Sequence, residues 1–118
     1  GTVVFRQNWP TGTVASDALA YIVDDPDVIF MAQADGAVTQ ADLGQNTNFA
    51  AVQATDTGDT TTGNSSSAVS STTAATATIA FRIVDFVDSP TSTVGDAFTD
   101  LLIKFNAGIH SYDNATGI

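Results

Sequence analysis

Thr78-Ile79-Ala80-Phe81-Arg82-Ile83-Val84-Asp85-Phe86-Val87 is the stretch on which the fold turns. It is rich in β-branched and aromatic residues and contains neither Gly nor Pro. It reads as a long strand. A second strand follows over residues 99–105, where Leu101, Ile103 and Phe105 face inward and Asp100, Leu102 and Lys104 face outward. Between the two lie Asp88 to Gly95, a turn-rich connection.

Working toward the N-terminus, residues 28–34 form another apolar run, closed by the tight-turn pair Asp35-Gly36. Asp24-Asp25-Pro26-Asp27 separates it from residues 18–23, in which Leu19, Tyr21 and Val23 alternate with Ala18, Ala20 and Ile22. Residues 2–9 alternate in the same way, and Pro10-Thr11-Gly12 ends them. Residues 48–54 read as one more short strand, and residues 40–43 as a single helical turn before Gly44. Phe5, Trp9, Tyr21 and Phe30 are spaced as strand core. Six or seven short strands with long polar loops predict an all-β single domain over residues 1–118, a small barrel or sandwich.

Between these parts, residues 55–78 are of low complexity: nine Thr, five Ser and four Ala among 24 residues. Without large side chains this segment cannot build a core of its own. It is either a surface loop or a pair of weak strands around residues 60–63 and 67–70.

Composition agrees with a sheet protein. All thirteen acids are Asp, none is Glu, and only Arg6, Arg82 and Lys104 oppose them, for a net charge of −10. Surface helices normally draw on Glu and Lys, which are nearly missing here. Nucleic-acid affinity comes from Lys and Arg, so a phosphate-binding surface is excluded. No apolar stretch approaches the ~20 residues of a spanning helix, which leaves no membrane segment. With 118 residues the chain buries roughly two-thirds of its extended surface on folding, enough for one core. Zero Cys excludes a disulfide framework and thiolate metal sites.

Chemistry is sparse. His110 is the only histidine, so no His pair can hold a metal, and a lone His in a polar tail is a surface or hydrogen-bonding residue rather than a catalyst. There is no G-x-S-x-G elbow, dinucleotide fingerprint or P-loop. The sequence therefore predicts no enzyme, no catalytic residue and no cofactor. Asp24, Asp25 and Asp27 crowd one turn, and Asp56 lies near Asp59, as oxygen ligands for Ca²⁺ would. Neither cluster fits a calcium loop, and short Asp bonding the backbone of turns accounts for both. Asn64-Ser65-Ser66 and Asn114-Ala115-Thr116 match the glycosylation acceptor pattern, which arises easily in so Asn- and Thr-rich a chain.

Three runs, residues 18–23, 28–32 and 79–87, are apolar on both faces. A lone small domain should present a polar outer face. Either these are central strands covered by loops or their second face is buried against another subunit, and burial in an assembly is the preferred reading.

Several runs resemble small structural proteins of tailed bacteriophages of marine type. They are Asp24-Asp25-Pro26-Asp27-Val28-Ile29-Phe30, Gln33-Ala34-Asp35-Gly36 and Ala41-Asp42-Leu43-Gly44-Gln45-Asn46. Thr60-Thr61-Thr62-Gly63, then Phe81-Arg82-Ile83-Val84-Asp85-Phe86-Val87-Asp88-Ser89-Pro90 and Asn114-Ala115-Thr116-Gly117-Ile118, continue the likeness, which covers most of the chain from about Ala20. Such proteins accompany the major capsid protein in the virion, some as decoration or cement proteins on the outer capsid surface. The resemblance implies a non-enzymatic virion protein whose partners are the major capsid protein and its own copies, as a trimer or dimer. It also implies sequence ahead of Gly1, and it names no active site. A fibre or adhesin module that grips host surface glycans is the alternative, with Trp9 and Tyr112 as the residues that would serve it.

Overall fold

A computed structural model describes residues 3–6, 9–50, 58–59, 61–62, 65–110, 112–113 and 115–116. In chain order its elements are β1 (Ile29–Gln33), a 3₁₀ turn (Gln40–Asp42), β2 (Asn46–Thr47), β3 (Phe81–Phe86) and β4 (Asp100–Phe105). The strands form one open antiparallel sheet in the order β1-β4-β3-β2. The all-β class holds. Among the described residues four strands make one open sheet, and closure into a barrel or sandwich of six or seven strands is not seen there.

The central pair, β3 and β4, comes from the two runs with the strongest strand pattern. Phe81 lies opposite Phe105 and Ile83 opposite Ile103. Strict alternation would next put Asp85 on the apolar face, opposite Leu101. A bulge between Ile83 and Asp85 prevents this: beyond it Asp85 pairs with Leu102 and Phe86 with Leu101. One extra residue on β3 thus turns Asp85 outward and brings Phe86 onto the core.

β1 docks on the other side of β4, with Phe30 opposite Ile103 and Ala32 opposite Leu101. The core face of the sheet therefore carries Phe30, Ala32, Phe81, Ile83, Leu101, Ile103 and Phe105, over which Ala34, Val38 and Val69 close. Ile83 and Leu101 are completely buried. An aromatic row crosses this face. Phe30 meets Phe105 edge-on at 5.2 Å, Phe105 lies 6.3 Å from Phe81, and Phe81 meets Phe49 edge-on at 4.9 Å.

Val69 brings the latter part of the Thr/Ser stretch into the structure. Its N–H donates to the Gln33 carbonyl and its carbonyl accepts from Asp35 N–H. On the other side Ser70 N–H bonds the Asn48 carbonyl, Ala50 N–H bonds the Ala68 carbonyl, and Ala74 exchanges two bonds with Asn46. The Thr47 hydroxyl donates to the Ser70 carbonyl at 2.6 Å. These are single bridges rather than a continuous strand, so residues 48–50 and 67–70 pair where strands are expected without forming regular ones. Thr61 and Thr62 lie in a turn capped by Asp59, whose Oδ1 accepts from Thr61 N–H. Thr60, Gly63 and residues 51–54 lie outside the described residues.

Two Thr-x-x-Asp turns brace the ends of the core. Asp42 accepts from the N–H and hydroxyl of Thr39, both at 2.9 Å, and Asp96 accepts from the N–H and hydroxyl of Thr93. Asp42 also accepts from the Thr73 hydroxyl at 2.7 Å. That bond ties the 3₁₀ turn to the Thr/Ser segment. Gly95 joins the two turns, donating its N–H to the Val38 carbonyl at a φ of +88° that favours glycine.

Candidate docking surface

Residues 18–23 and the described part of residues 2–9 are not strands, which corrects the sequence expectation. They belong to an extended arm. Among residues 3–6 and 9–23 the hydrogen bond made is the turn from Thr13 N–H to the Pro10 carbonyl. Leu19, Tyr21 and Val14 are 87, 89 and 98 % exposed. Phe5 and Trp9 are also exposed, so of the four aromatics spaced as strand core only Phe30 packs against the core. The radius of gyration, 16.3 Å, exceeds the ~13.5 Å of a compact chain of this length.

The base of the arm is pinned by His110. The Tyr112 N–H can only donate, so His110 Nδ1 accepts it at 3.2 Å. Nε2 then carries the hydrogen and donates to the Asp24 carbonyl at 3.0 Å. The ring is buried, 5.1 Å from Phe105 and 5.6 Å from Tyr112. Rather than lying free in a polar tail, this imidazole joins the C-terminal turns to the point where the arm leaves the body.

The aspartates around it do not converge. Asp25 Oδ1 accepts from Asp27 N–H within the turn, Asp24 lies 3.6 Å from His110, and Asp27 lies 3.9 Å from Lys104. Among the described residues, no group of three or more His, Asp or Glu is placed to hold a metal ion. Asp56 of the other cluster lies outside the described residues, as do Asn64 and Asn114. Hydrogen-bonded turns lower the carboxyl pKa of Asp42, Asp59 and Asp96. The Thr73 hydroxyl and then Thr39 hold Asp42 below the usual carboxylate range, Thr61 and Thr62 hold Asp59 down, and Thr93 holds Asp96 down. Each reflects hydrogen bonds to the charged form.

What the body does offer is apolar surface beside the arm. An open hollow of about 450 Å³ is floored by Phe30, Phe81 and Phe105 and rimmed by Phe49, Ile22 and Val23. Its neighbour is the free edge of the sheet. Ala34 N–H bonds the Thr99 carbonyl toward β4, so by alternation Ile29 and Met31 turn their N–H and C=O groups outward. Val69 closes this edge at Gln33, but among the described residues none bonds those of Ile29 and Met31. On the outer face of the sheet the side chains of Ile29 and Met31 are also exposed.

Charge divides in the same place. Residues 1–23 contain Arg6 and Asp17 and are neutral, whereas residues 24–118 hold twelve Asp against Arg82 and Lys104 and carry the whole −10. Among the described residues, no helix is long and apolar enough to cross a membrane.

The molecule is thus an acidic open-sheet β domain with an unpartnered, neutral, apolar arm. Compared with known proteins, the chain matches no family model, no curated protein and no solved structure.

Two features of this surface escaped the sequence reading. The Thr-x-x-Asp pattern at Thr39–Asp42 and Thr93–Asp96 was a visible turn-capping signal. The free edge of β1 had none, because which strand lies outermost depends on pairing order.

Proposed function

We propose that this chain is a non-enzymatic virion structural protein of a tailed bacteriophage, a decoration or cement protein on the outer surface of the capsid. Its partners are the major capsid protein and its own copies, as trimers or dimers, with no cofactor and with neither nucleic acid nor membrane as partner. The observation that carries this reading is the split between a neutral apolar arm and a body holding all of the −10 charge. A protein that cements a lattice needs apolar surface to dock and an outward side that stays soluble and repels other particles. In saline water screening confines that repulsion to a few Å, on the order of the Debye length at high salt. On an inner wall the same acidity would face the phosphates of packaged DNA.

In the assembled particle the distal arm, with Phe5, Trp9 and Val14, lies against the capsid lattice. Many weak contacts of this kind add up by avidity. Strands lent by neighbouring copies extend the open four-strand sheet toward the barrel or sandwich expected of residues 1–118. The test is to mix the protein with undecorated phage shells. Saturable binding together with raised resistance to heat or pressure is expected; shells that neither bind nor gain resistance would refute the proposal.

A fibre or adhesin module for host glycans is the second reading, favoured by exposed Trp9, Tyr21 and Tyr112. Sugar stacking needs aromatics on a firm floor, and Trp9 and Tyr21 stand on an arm without one. Specific signals on a glycan array, with no binding to shells, would select it.

A further inference from the structure

The arm and the free edge of β1 are complementary halves of one contact. At the edge, Ile29 and Met31 present N–H and C=O groups with no partner among the described residues, beside a hollow floored by Phe30, Phe81 and Phe105. In the arm, residues 18–23 are exposed, carry large apolar side chains at alternate positions and, among the described residues, make no hydrogen bond to the body, with Ile22 and Val23 at the rim of their own hollow. An open edge of this kind takes another extended chain readily, with ladder bonds supplying affinity and alternate side chains supplying fit.

We propose that the occupant is a second copy of this chain: residues 18–23 of one copy pair with the open edge of another at Ile29 and Met31 and lay their apolar side chains over its hollow. Three observations select a copy of this chain over a foreign peptide. First, the side chains of Leu19, Tyr21, Ile22, Ile29, Met31 and Phe49 together expose roughly 800 Å², about what one partner buries in a stable interface. Second, the body carries −10 and repels acidic segments, whereas residues 1–23 are neutral. Third, donor and acceptor occur once each in every chain, so each copy both gives an arm and receives one. Reciprocal exchange closes a two-fold dimer and onward exchange closes a trimer ring. The turn at Pro10 to Thr13 leaves Phe5 and Trp9 beyond the exchanged segment, free for a different partner.

This inference rests on the homo-oligomer in the proposed function but not on the capsid. Light scattering on the full chain at about 100 µM should give two or three times the monomer mass. The double variant Leu19→Asp/Tyr21→Asp should return it to monomer with an unchanged far-ultraviolet circular dichroism spectrum. Because the chain has no Cys, a chain carrying Ala20→Cys can be mixed after unfolding and refolding with a size-tagged chain carrying Met31→Cys. A disulfide joining the two different chains is expected under mild oxidation. A monomeric full chain, an oligomer indifferent to the double variant, or no disulfide between the different chains overturns the exchange. A monomer that still coats shells would remove the exchange and leave the decoration reading standing. An exchanged oligomer that ignores shells would do the reverse.

Discussion

The arm and the sheet are made of the same kinds of residue and have opposite fates. Residues 18–23 alternate Leu19, Tyr21 and Val23 with Ala and Ile, much as β4 alternates Leu101, Ile103 and Phe105 with its outer residues. Yet Leu101 is wholly buried and Leu19 almost wholly exposed. An alternating apolar pattern says that a face is to be buried; it does not say in which chain. The difference lies in what each segment can reach. β4 has β1 and β3 on its two sides, while the arm departs at Asp24 and pairs with no strand among the described residues.

Substitutions should divide along this line. Ile83→Ala or Leu101→Ala empties a fully buried site and should cost about 2–5 kcal/mol, read from the urea midpoint. Val14→Ala, in the distal arm, should stay within about 0.5 kcal/mol of the parent. A loss at Val14 matching that at Leu101 would mean the arm packs on its own body after all.

Next in size is Asn106→Ala. The buried Asn106 amide donates to the carbonyls of both Ala77 and Ile79, and leaving them without a donor should cost about 1–3 kcal/mol. Thermal melting checks it. His110→Ala should be felt mostly at the junction: hydrogen exchange should rise around Asp24 and Tyr112 while β3 and β4 stay protected.

Much of the body was legible from its residues. β1, β3 and β4 follow from apolar, β-branched runs without breakers, and the 3₁₀ turn before Gly44 from its short polar spacing. The bulge at Val84 was not, since only the partner strand reveals that Asp85 must be turned out. Nor was the place of the Thr/Ser segment. Val69 is its one sizeable apolar anchor, and the rest is held by backbone bonds that small side chains do not announce. At the candidate surface the apolar excess was legible, and its location on an unpaired arm was not.

Smaller effects come from the turns. Asp42→Ala removes the acceptor for Thr39 and Thr73 and should cost about 1 kcal/mol, as loss of a capping side chain does, while Asp17→Ala in the arm should change stability hardly at all. The pH dependence has a definite sign. The lowered Asp42 and Asp96 carboxyls bind fewer protons in the folded state than at the unfolded value of about 3.9. Their contribution is therefore complete above that pH and is lost as pH falls through the lowered values. Acid titrations of Asp42→Asn and the parent should converge once the pH has fallen through the lowered Asp42 value. Smallest of all, Lys104→Met breaks a 3.9 Å pair with exposed Asp27 and should cost no more than about 0.5 kcal/mol.

The proposal that the arm is the docking element is tested most directly by imaging undecorated phage shells saturated with the protein, at a resolution that traces the chain. Copies on the outer surface are expected, with residues 3–14 against the major capsid protein and the acidic body turned to solvent. Shells without added density, or copies seated through the acidic body with the arm free, would contradict it.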